Sequence, residues 1–120
     1  MASFQANGGD LLTNSVQGNA VPLNFGLAAI TYADADVTAS SAQYQCRKIN
    51  CTGTNTAQRK LILPVVSGAE WYVANNGTGQ NLQCIGVSGT GIIIANTKGA
   101  NLWSDGVNIY RQNLDSTITT

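Results

Sequence analysis

The sequence predicts an all-β protein, an antiparallel β-sandwich of jelly-roll type that follows an extended N-terminal arm. Short apolar runs recur along the chain and are separated by turn residues, which is typical of a sandwich or a barrel. Within residues 71–73 and 82–85, large apolar side chains alternate with smaller or polar ones. This period of two predicts strands with one buried face.

The apolar runs define eight candidate strands. They are residues 23–32, 42–51, 59–63, 70–75, 82–87, 91–95, 100–103 and 107–111. The strongest turn signals are Asn76-Gly77 and Asp105-Gly106, because both dipeptides readily adopt the positive φ angles of tight hairpins. Helical periodicity is confined to one turn at 40–43, with Ser40 as its N-cap. We therefore expect about eight antiparallel strands and very little helix.

The chain of 120 residues is expected to form one domain with two appendages. Residues 23–115 form the sandwich and residues 116–120 a short C-terminal tail. Residues 1–22 are polar and rich in Gly and Asn, and their isolated apolar side chains fit no helical or strand period. We interpret them as an arm that orders against a partner, the alternative being a disordered tail. The predicted partner-binding residues are the apolar ones of this arm, Phe4, Leu11, Leu12, Val16 and Val21.

Charge is scarce and balanced, since 10% of the residues are charged and six basic residues match six acidic ones. The basic residues form no stripe that could neutralise a phosphate backbone, so nucleic acid is not an expected partner. No apolar run reaches the ~18 residues of a membrane span, and the N-terminus lacks the pattern of a signal peptide. Zero net charge, the apolar positions of the arm and the run Ile92-Ile93-Ile94 together predict a homodimer or homotrimer.

Residues that could carry chemistry are few. The sequence has no histidine, and its three cysteines lack metal-site spacing, so we expect buried apolar cysteines and neither metal nor cofactor. Asp34 and Asp36 are expected to cap turn amides rather than to bind calcium. Glu70 and Asp105 would suit a glycosidase only if the fold brought them together across a cleft. Residues 86–91 are interpreted as a hairpin turn, because no helix follows them to bind phosphate. We predict no catalytic residue.

Four aromatic side chains have two interpretations. Trp71, Tyr72, Trp103 and Tyr110 could stack on sugar rings at a surface, but in an all-β core they more often fill the interior. We expect Trp103 to be largely buried, and Trp71 and Val73 to face away from Tyr72.

Residues 30–111 contain four short sequence motifs, called phrases below, that also occur in this order in a known type of module. They are DADVT at 34–38 with AQY at 42–44, INCTG at 49–53 with AQRKLILP at 57–64, EWYVANNGTG at 70–79, and SDGVNIY at 104–110. In this order they resemble a β-rich module of tailed-bacteriophage structural proteins, which include head decoration proteins and pieces of tail fibres. The chain departs from the module at Arg47-Lys48, where the module is usually apolar, and at Val107, where a Thr is common.

The resemblance implies a structural role and transfers no catalytic residue. We expect a capsid decoration, or cement, protein that is made in the host cytoplasm and binds the outside of the major capsid protein shell, because a short chain with an arm suits addition in many copies. The alternative is a tail-fibre or receptor-binding tip that recognises host polysaccharide. A weak polysaccharide-cleaving enzyme is a third hypothesis.

Overall fold

The computed structural model describes residues 24–118, which form two β-sheets and one short helix. In chain order the elements are β1 (Asn24–Ala33), β2 (Val37–Thr38), α1 (Ser41–Tyr44), β3 (Cys46–Thr54), β4 (Arg59–Ile62), β5 (Glu70–Asn75), β6 (Leu82–Ile85), β7 (Ile92–Ile94), β8 (Lys98–Ser104), β9 (Ile109–Arg111) and β10 (Ser116–Thr117). The prediction of an all-β fold is confirmed.

The strands divide into a larger and a smaller sheet. The larger sheet has the order β9-β8-β5-β3-β1, and β10 pairs with the β8 strand as well. The smaller sheet has the order β2-β4-β6-β7. Buried side chains from both sheets form one apolar core between them. The result is sandwich-like, with two layers that share a single interior.

The expectation of antiparallel pairing is wrong for the first half of the fold, and the jelly-roll connectivity is not confirmed. Successive strands alternate between the two sheets, so β1, β3 and β5 stack in parallel in the larger sheet, and β2, β4 and β6 stack in parallel in the smaller one. Ile49 is 21 residues after its partner Ala28, and Val73 is 24 residues after its partner Ile49. A parallel pair needs a long crossover, and here a strand of the opposite sheet provides it. The pairs formed by β7, β8, β9 and β10 are antiparallel.

The two hairpin signals have different outcomes. Gly77 and Gly106 have φ angles of 83° and 97°, so both dipeptides adopt the expected left-handed backbone. Asp105-Gly106 closes the antiparallel hairpin of β8 and β9. Asn76-Gly77 does not close a hairpin, because the chain after β5 crosses to β6 in the other sheet.

The single helical turn is confirmed. Ser40 caps the helix, since its hydroxyl accepts a hydrogen bond from the backbone N–H of Gln43. The Gln43 side chain accepts in return from the backbone N–H of Ser40 at 2.9 Å. This reciprocal capping box satisfies two donors at a helix end that would otherwise be unpaired.

Alternation along the strands sorts side chains between the core and the surface. In β1, Ala28, Ile30 and Tyr32 are buried, and the residues between them are exposed. The hydroxyl of Tyr32 donates to the carbonyl of Lys60 at 2.9 Å and so ties the larger sheet to the smaller one. Burial raises the pKa of this phenol, which remains a neutral donor.

The eight predicted strands overlap β1 and β3 to β9, but the predicted strand 42–51 begins too early, because residues Ser41–Tyr44 form α1. The prediction missed β2, which follows directly after an Asp-rich turn. Ser116 and Thr117, which the prediction assigned to the C-terminal tail, form β10 against the β8 strand. The predicted arm lies outside the described residues.

Candidate functional site

The candidate site is the outer face of the larger sheet, where β3, β5, β8 and β9 lie side by side. Tyr110 pairs with Trp103, and Trp103 pairs with Glu70, so these three residues form one row across the strands. Residues that are directly opposite each other project from the same face of a sheet. The row therefore combines two aromatic rings with one carboxylate on a surface open to solvent.

Trp103 is 37% exposed, so the expectation that it is largely buried is wrong. Its neighbours Leu102 and Ser104 are fully buried and occupy the inward positions of β8. The period of two then places Trp103 on the outside. Its ring packs against that of Tyr110 with the centroids 4.8 Å apart and the planes tilted by 30°.

A second row lies beside the first and consists of Lys48, Tyr72 and Asn101. The ammonium group of Lys48 is 5.9 Å from the centroid of the Tyr72 ring, within the range of a cation–π contact. The phenol lies over Gly99, where a Cβ atom would be 1.9 Å from the Tyr72 hydroxyl. Glycine at 99 thus lets the ring lie flat along the sheet. As predicted, Trp71 and Val73 are buried on the opposite face from Tyr72.

Glu70 of the first row and all three residues of the second row line a shallow depression of about 130 Å³, and Trp103 lies next to it as the cross-strand neighbour of Glu70. Its lining residues are Arg47, Lys48, Glu70, Trp71, Tyr72, Asn101 and Gln112. The ion pairs within residues 24–118 join Arg59 to Asp34 and Arg111 to Asp115, so no carboxylate of that part of the chain forms a salt bridge with Arg47 or Lys48. Two cations and one acid give the depression a net positive charge.

The aspartates of the first sequence phrase, Asp34 and Asp36, lie elsewhere, in the turn after β1. Asp34 directly follows β1 and accepts hydrogen bonds from both the backbone N–H and the hydroxyl of Thr56, at 2.8 and 2.7 Å. It also accepts from the guanidinium of Arg59 at 2.8 Å. These bonds, led by that of the Thr56 amide, lower the pKa of Asp34 to about 2. Asp36 accepts from the backbone N–H of Lys60. Asp34 caps a turn amide, as we expected, whereas the amide bound by Asp36 belongs to strand β4.

Asn75 and Thr78 form a buried network in the connection from β5 to β6. The side-chain amide of Asn75 donates to the carbonyls of Gln80 at 2.8 Å and of Ile94 at 3.0 Å. Its side-chain oxygen accepts from the Thr78 hydroxyl at 2.6 Å. Both side chains are essentially inaccessible to solvent. Every polar group of the Asn75 side chain is therefore engaged within the fold.

Asp105 is similarly committed to its own turn. It accepts from the backbone N–H groups of Asn108 and Val107 and from the hydroxyl of Tyr110. The hydrogen bonds donated by the backbone amides of Asn108 and, to a lesser extent, Val107 hold the pKa of Asp105 below its usual range. A glycosidase pairs one acid of raised pKa with one ionised carboxylate, so the lowered pKa of Asp105 argues against the acid role for this residue.

The remaining candidates also have structural surroundings. Cys46, Cys51 and Cys84 are unpaired and buried, as predicted. Burial raises the pKa of Cys51 to about 12 and that of Cys84 well above its ordinary value, so these thiols are not nucleophiles at neutral pH. Residues 86–91 connect the antiparallel strands β6 and β7, which confirms the hairpin turn. The predicted partner-binding residues of the arm lie outside the described residues.

The sequence interpretation missed Arg47, Lys48, Asn101 and Gln112 as members of a common surface. Their proximity depends on the pairing of β3 with β5 and of β5 with β8, which no local pattern specifies. One signal was present in the sequence: Arg47-Lys48 places two cations where the phage module is usually apolar.

Within residues 24–118, no helix is long and apolar enough to cross a bilayer, and no group of three or more potential ligand side chains is placed to hold a metal ion. Comparison of the chain with protein-family models, curated proteins and solved structures finds no match.

Proposed function

We propose that this chain is a structural protein of a tailed-bacteriophage particle, a decoration protein that binds the outside of the major capsid protein shell as a dimer or trimer. The observation that supports the proposal is that three polar residues of the module-like phrases form hydrogen bonds within the fold. Asp34, Asn75 and Asp105 each use their side-chain oxygens to hold turns together. Phrases built this way maintain a shape, which is the task of a cement protein.

One end of the molecule offers a surface for protein contacts. The loops after β4, β6 and β8 meet there. The backbone N–H of Gly68 donates to the carbonyl of Ser104 at 2.8 Å, and the N–H of Thr90 donates to the side-chain oxygen of Asn108 at 2.8 Å. Hydrogen bonds between loops hold this end in one conformation without help from a partner.

Each of these three loops presents an exposed valine. We name this set the valine tip, and its members are Val66, Val87 and Val107, which are 58%, 91% and 61% exposed. Apolar side chains gathered on rigid loops gain free energy when a partner removes them from water, at about 25 cal/mol per Å². The valine tip and the N-terminal arm would each make a modest contact, and repetition over the shell would make the sum large.

Localisation in the particle tests the proposal directly. Mass-spectrometric quantification against the major capsid protein should give many copies per shell, and a cryo-electron microscopy map should place them on the outer surface. A few copies, located on the tail, would refute the decoration role.

A capsid-binding assay separates the two contact surfaces. Purified chain is mixed with undecorated capsids and co-sedimented. Deletion of residues 1–19 should leave thermal stability nearly unchanged and sharply weaken attachment. Changing all three valines of the tip to serine should weaken attachment too, whereas Leu114→Ser, at an exposed position away from the tip, should not. If both altered chains decorate capsids like the parent, neither surface is the anchor.

The second candidate function is a tail-fibre or receptor-binding module that recognises host polysaccharide. The outer face of the larger sheet favours it, because the exposed ring of Trp103 lies among polar and charged side chains there. Aromatic rings with amide and charged neighbours are suited to sugars, which have both apolar faces and hydroxyl groups.

A further inference from the structure

We propose that the outer face of the larger sheet binds an acidic oligosaccharide, with one sugar ring on Trp103 and a carboxylate of the glycan at Arg47 and Lys48. This inference deepens the second candidate function and rests on it. The site can bind such a ligand at any location in the particle where the outer face of the larger sheet is exposed to solvent.

The aromatic part of the site is held in place before any ligand arrives. Tyr110 packs against Trp103, and the Tyr110 hydroxyl donates to Asp105 at 3.0 Å and accepts from the side-chain amide of Asn108 at 3.2 Å. These bonds fix the Tyr110 ring and, through it, one side of the Trp103 ring. A platform that is already rigid loses little conformational entropy on binding.

Polar side chains lie beside the platform on the same face of the sheet. Asn101 lies two residues before Trp103 on the same face of β8, and Glu70 is the direct cross-strand neighbour of Trp103. Gln112 is held beside them, because its backbone N–H donates to the carbonyl of Asn101 at 2.8 Å. Carboxamides and a carboxylate supply both donors and acceptors, as hydroxyl groups require.

Charge selects an acidic glycan over a neutral one. The guanidinium of Arg47 and the ammonium of Lys48 both line the depression, and the salt bridges of residues 24–118 leave them unpaired. A sugar carboxylate could bind the planar guanidinium through two parallel hydrogen bonds. Glu70 opposes this attraction from the other side of the depression, so its charge should reduce the affinity for an acidic ligand. Two adjacent cations are too few for a polyphosphate backbone, which needs an extended basic stripe.

The test measures binding of the full chain to two probes of equal length, an oligogalacturonate and a neutral gluco-oligosaccharide, by isothermal titration calorimetry. Trp103→Ala should weaken binding of the acidic probe at least about tenfold, because the stacking partner is lost. The double variant Arg47→Gln/Lys48→Gln should weaken it about tenfold, and added salt should weaken binding to the parent. Lys60→Gln, which removes a cation from the smaller sheet, is the matched control and should bind like the parent.

Glu70→Gln provides a test that loss of folding cannot mimic. Removing the opposing charge should strengthen binding of the acidic probe several-fold, with little change for the neutral probe. Circular dichroism and melting curves establish that each variant is folded.

Four results would overturn the inference. Equal affinity for both probes would refute the acidic class. Unchanged binding in Trp103→Ala and in the double variant would refute the site. Weaker binding of the acidic probe by Glu70→Gln would refute the charge assignment. Absence of binding to either probe would refute the site together with the polysaccharide function, whereas the decoration role is decided separately by copy number and location.

Discussion

Asn75→Ala should be among the most destabilising single substitutions in this fold. Asn75 is fully buried, and its side chain makes three hydrogen bonds across the connection between the two sheets. Alanine removes all three and leaves the Ile94 carbonyl without this donor in the core. The hydroxyl of Thr78 keeps its bond to the Gln80 carbonyl at 3.0 Å, which limits the damage at that end.

The magnitude follows from the number of bonds. Each buried hydrogen bond contributes about 1 kcal/mol net, and a stranded buried partner costs about 1–3 kcal/mol. We expect the free energy of unfolding to fall by about 3 kcal/mol, which corresponds to a Tm lower by roughly 15 °C for a domain of this size. Asn75→Asp should be at least as unstable at pH 7, because a carboxylate would face two carbonyl oxygens in place of two N–H donors.

Urea unfolding followed by tryptophan fluorescence measures both variants. Asn76→Ala is the matched control, because Asn76 makes one partly exposed side-chain hydrogen bond, to Asn50 at 3.2 Å, and should lose about 0.5 kcal/mol or less. A loss for Asn75→Ala below about 1 kcal/mol, or no larger than that of the control, would refute the assignment of Asn75 as the main polar anchor between the sheets.

Gly53 has a φ of 106°, and a Cβ there would be 2.2 Å from the Tyr32 carbonyl oxygen. Gly53→Ala should therefore lower the free energy of unfolding, measured in urea, by more than about 2 kcal/mol. A loss under about 0.5 kcal/mol would contradict this expectation. Trp103→Ala should lower the free energy of unfolding by about 1 kcal/mol, and Trp71→Ala, at a buried position, by about 3–5 kcal/mol. Equal melting temperatures of the two variants would contradict the assignment of Trp103 to the surface and Trp71 to the core. Because folding lowers the pKa of Asp34 to about 2, its stabilisation is complete above the ordinary carboxyl pKa and is lost as the pH falls from about 4 towards 2. Asp34→Asn should therefore show a smaller decrease in Tm over this pH range than the parent. Identical plots of Tm against pH for the two proteins would argue against this contribution of Asp34.

The candidate site was only partly predictable. Alternation indicates that Tyr72 faces away from Trp71 and Val73, and the structure confirms it. The expectation that Trp103 is largely buried is wrong, because alternation alone does not specify which of two apolar neighbours, Leu102 or Trp103, faces the core. The smaller Leu102 occupies the core instead, and the opposite face of the strand can expose an aromatic ring supported by Tyr110.

Local features of the fold can be predicted from short stretches of sequence. The approximate positions of eight strands, the Ser40 cap and the left-handed turns at Gly77 and Gly106 follow from side-chain period and turn chemistry within a few residues. Each of these depends on interactions between near neighbours in the chain, so a local pattern contains the information.

Strand pairing and strand direction, in contrast, depend on contacts between distant parts of the chain. A strand with one apolar face fits a parallel or an antiparallel neighbour, and a positive φ at Gly77 reverses the chain without choosing its next partner. The choice came from contacts far apart in sequence: Asn75 reaches Ile94, and Tyr32 reaches Lys60 in the opposite sheet. The same pairing brought Lys48, Tyr72 and Asn101 into one row. Proximity of that kind exists only after the sheet has formed, because backbone hydrogen bonds between distant segments set the register.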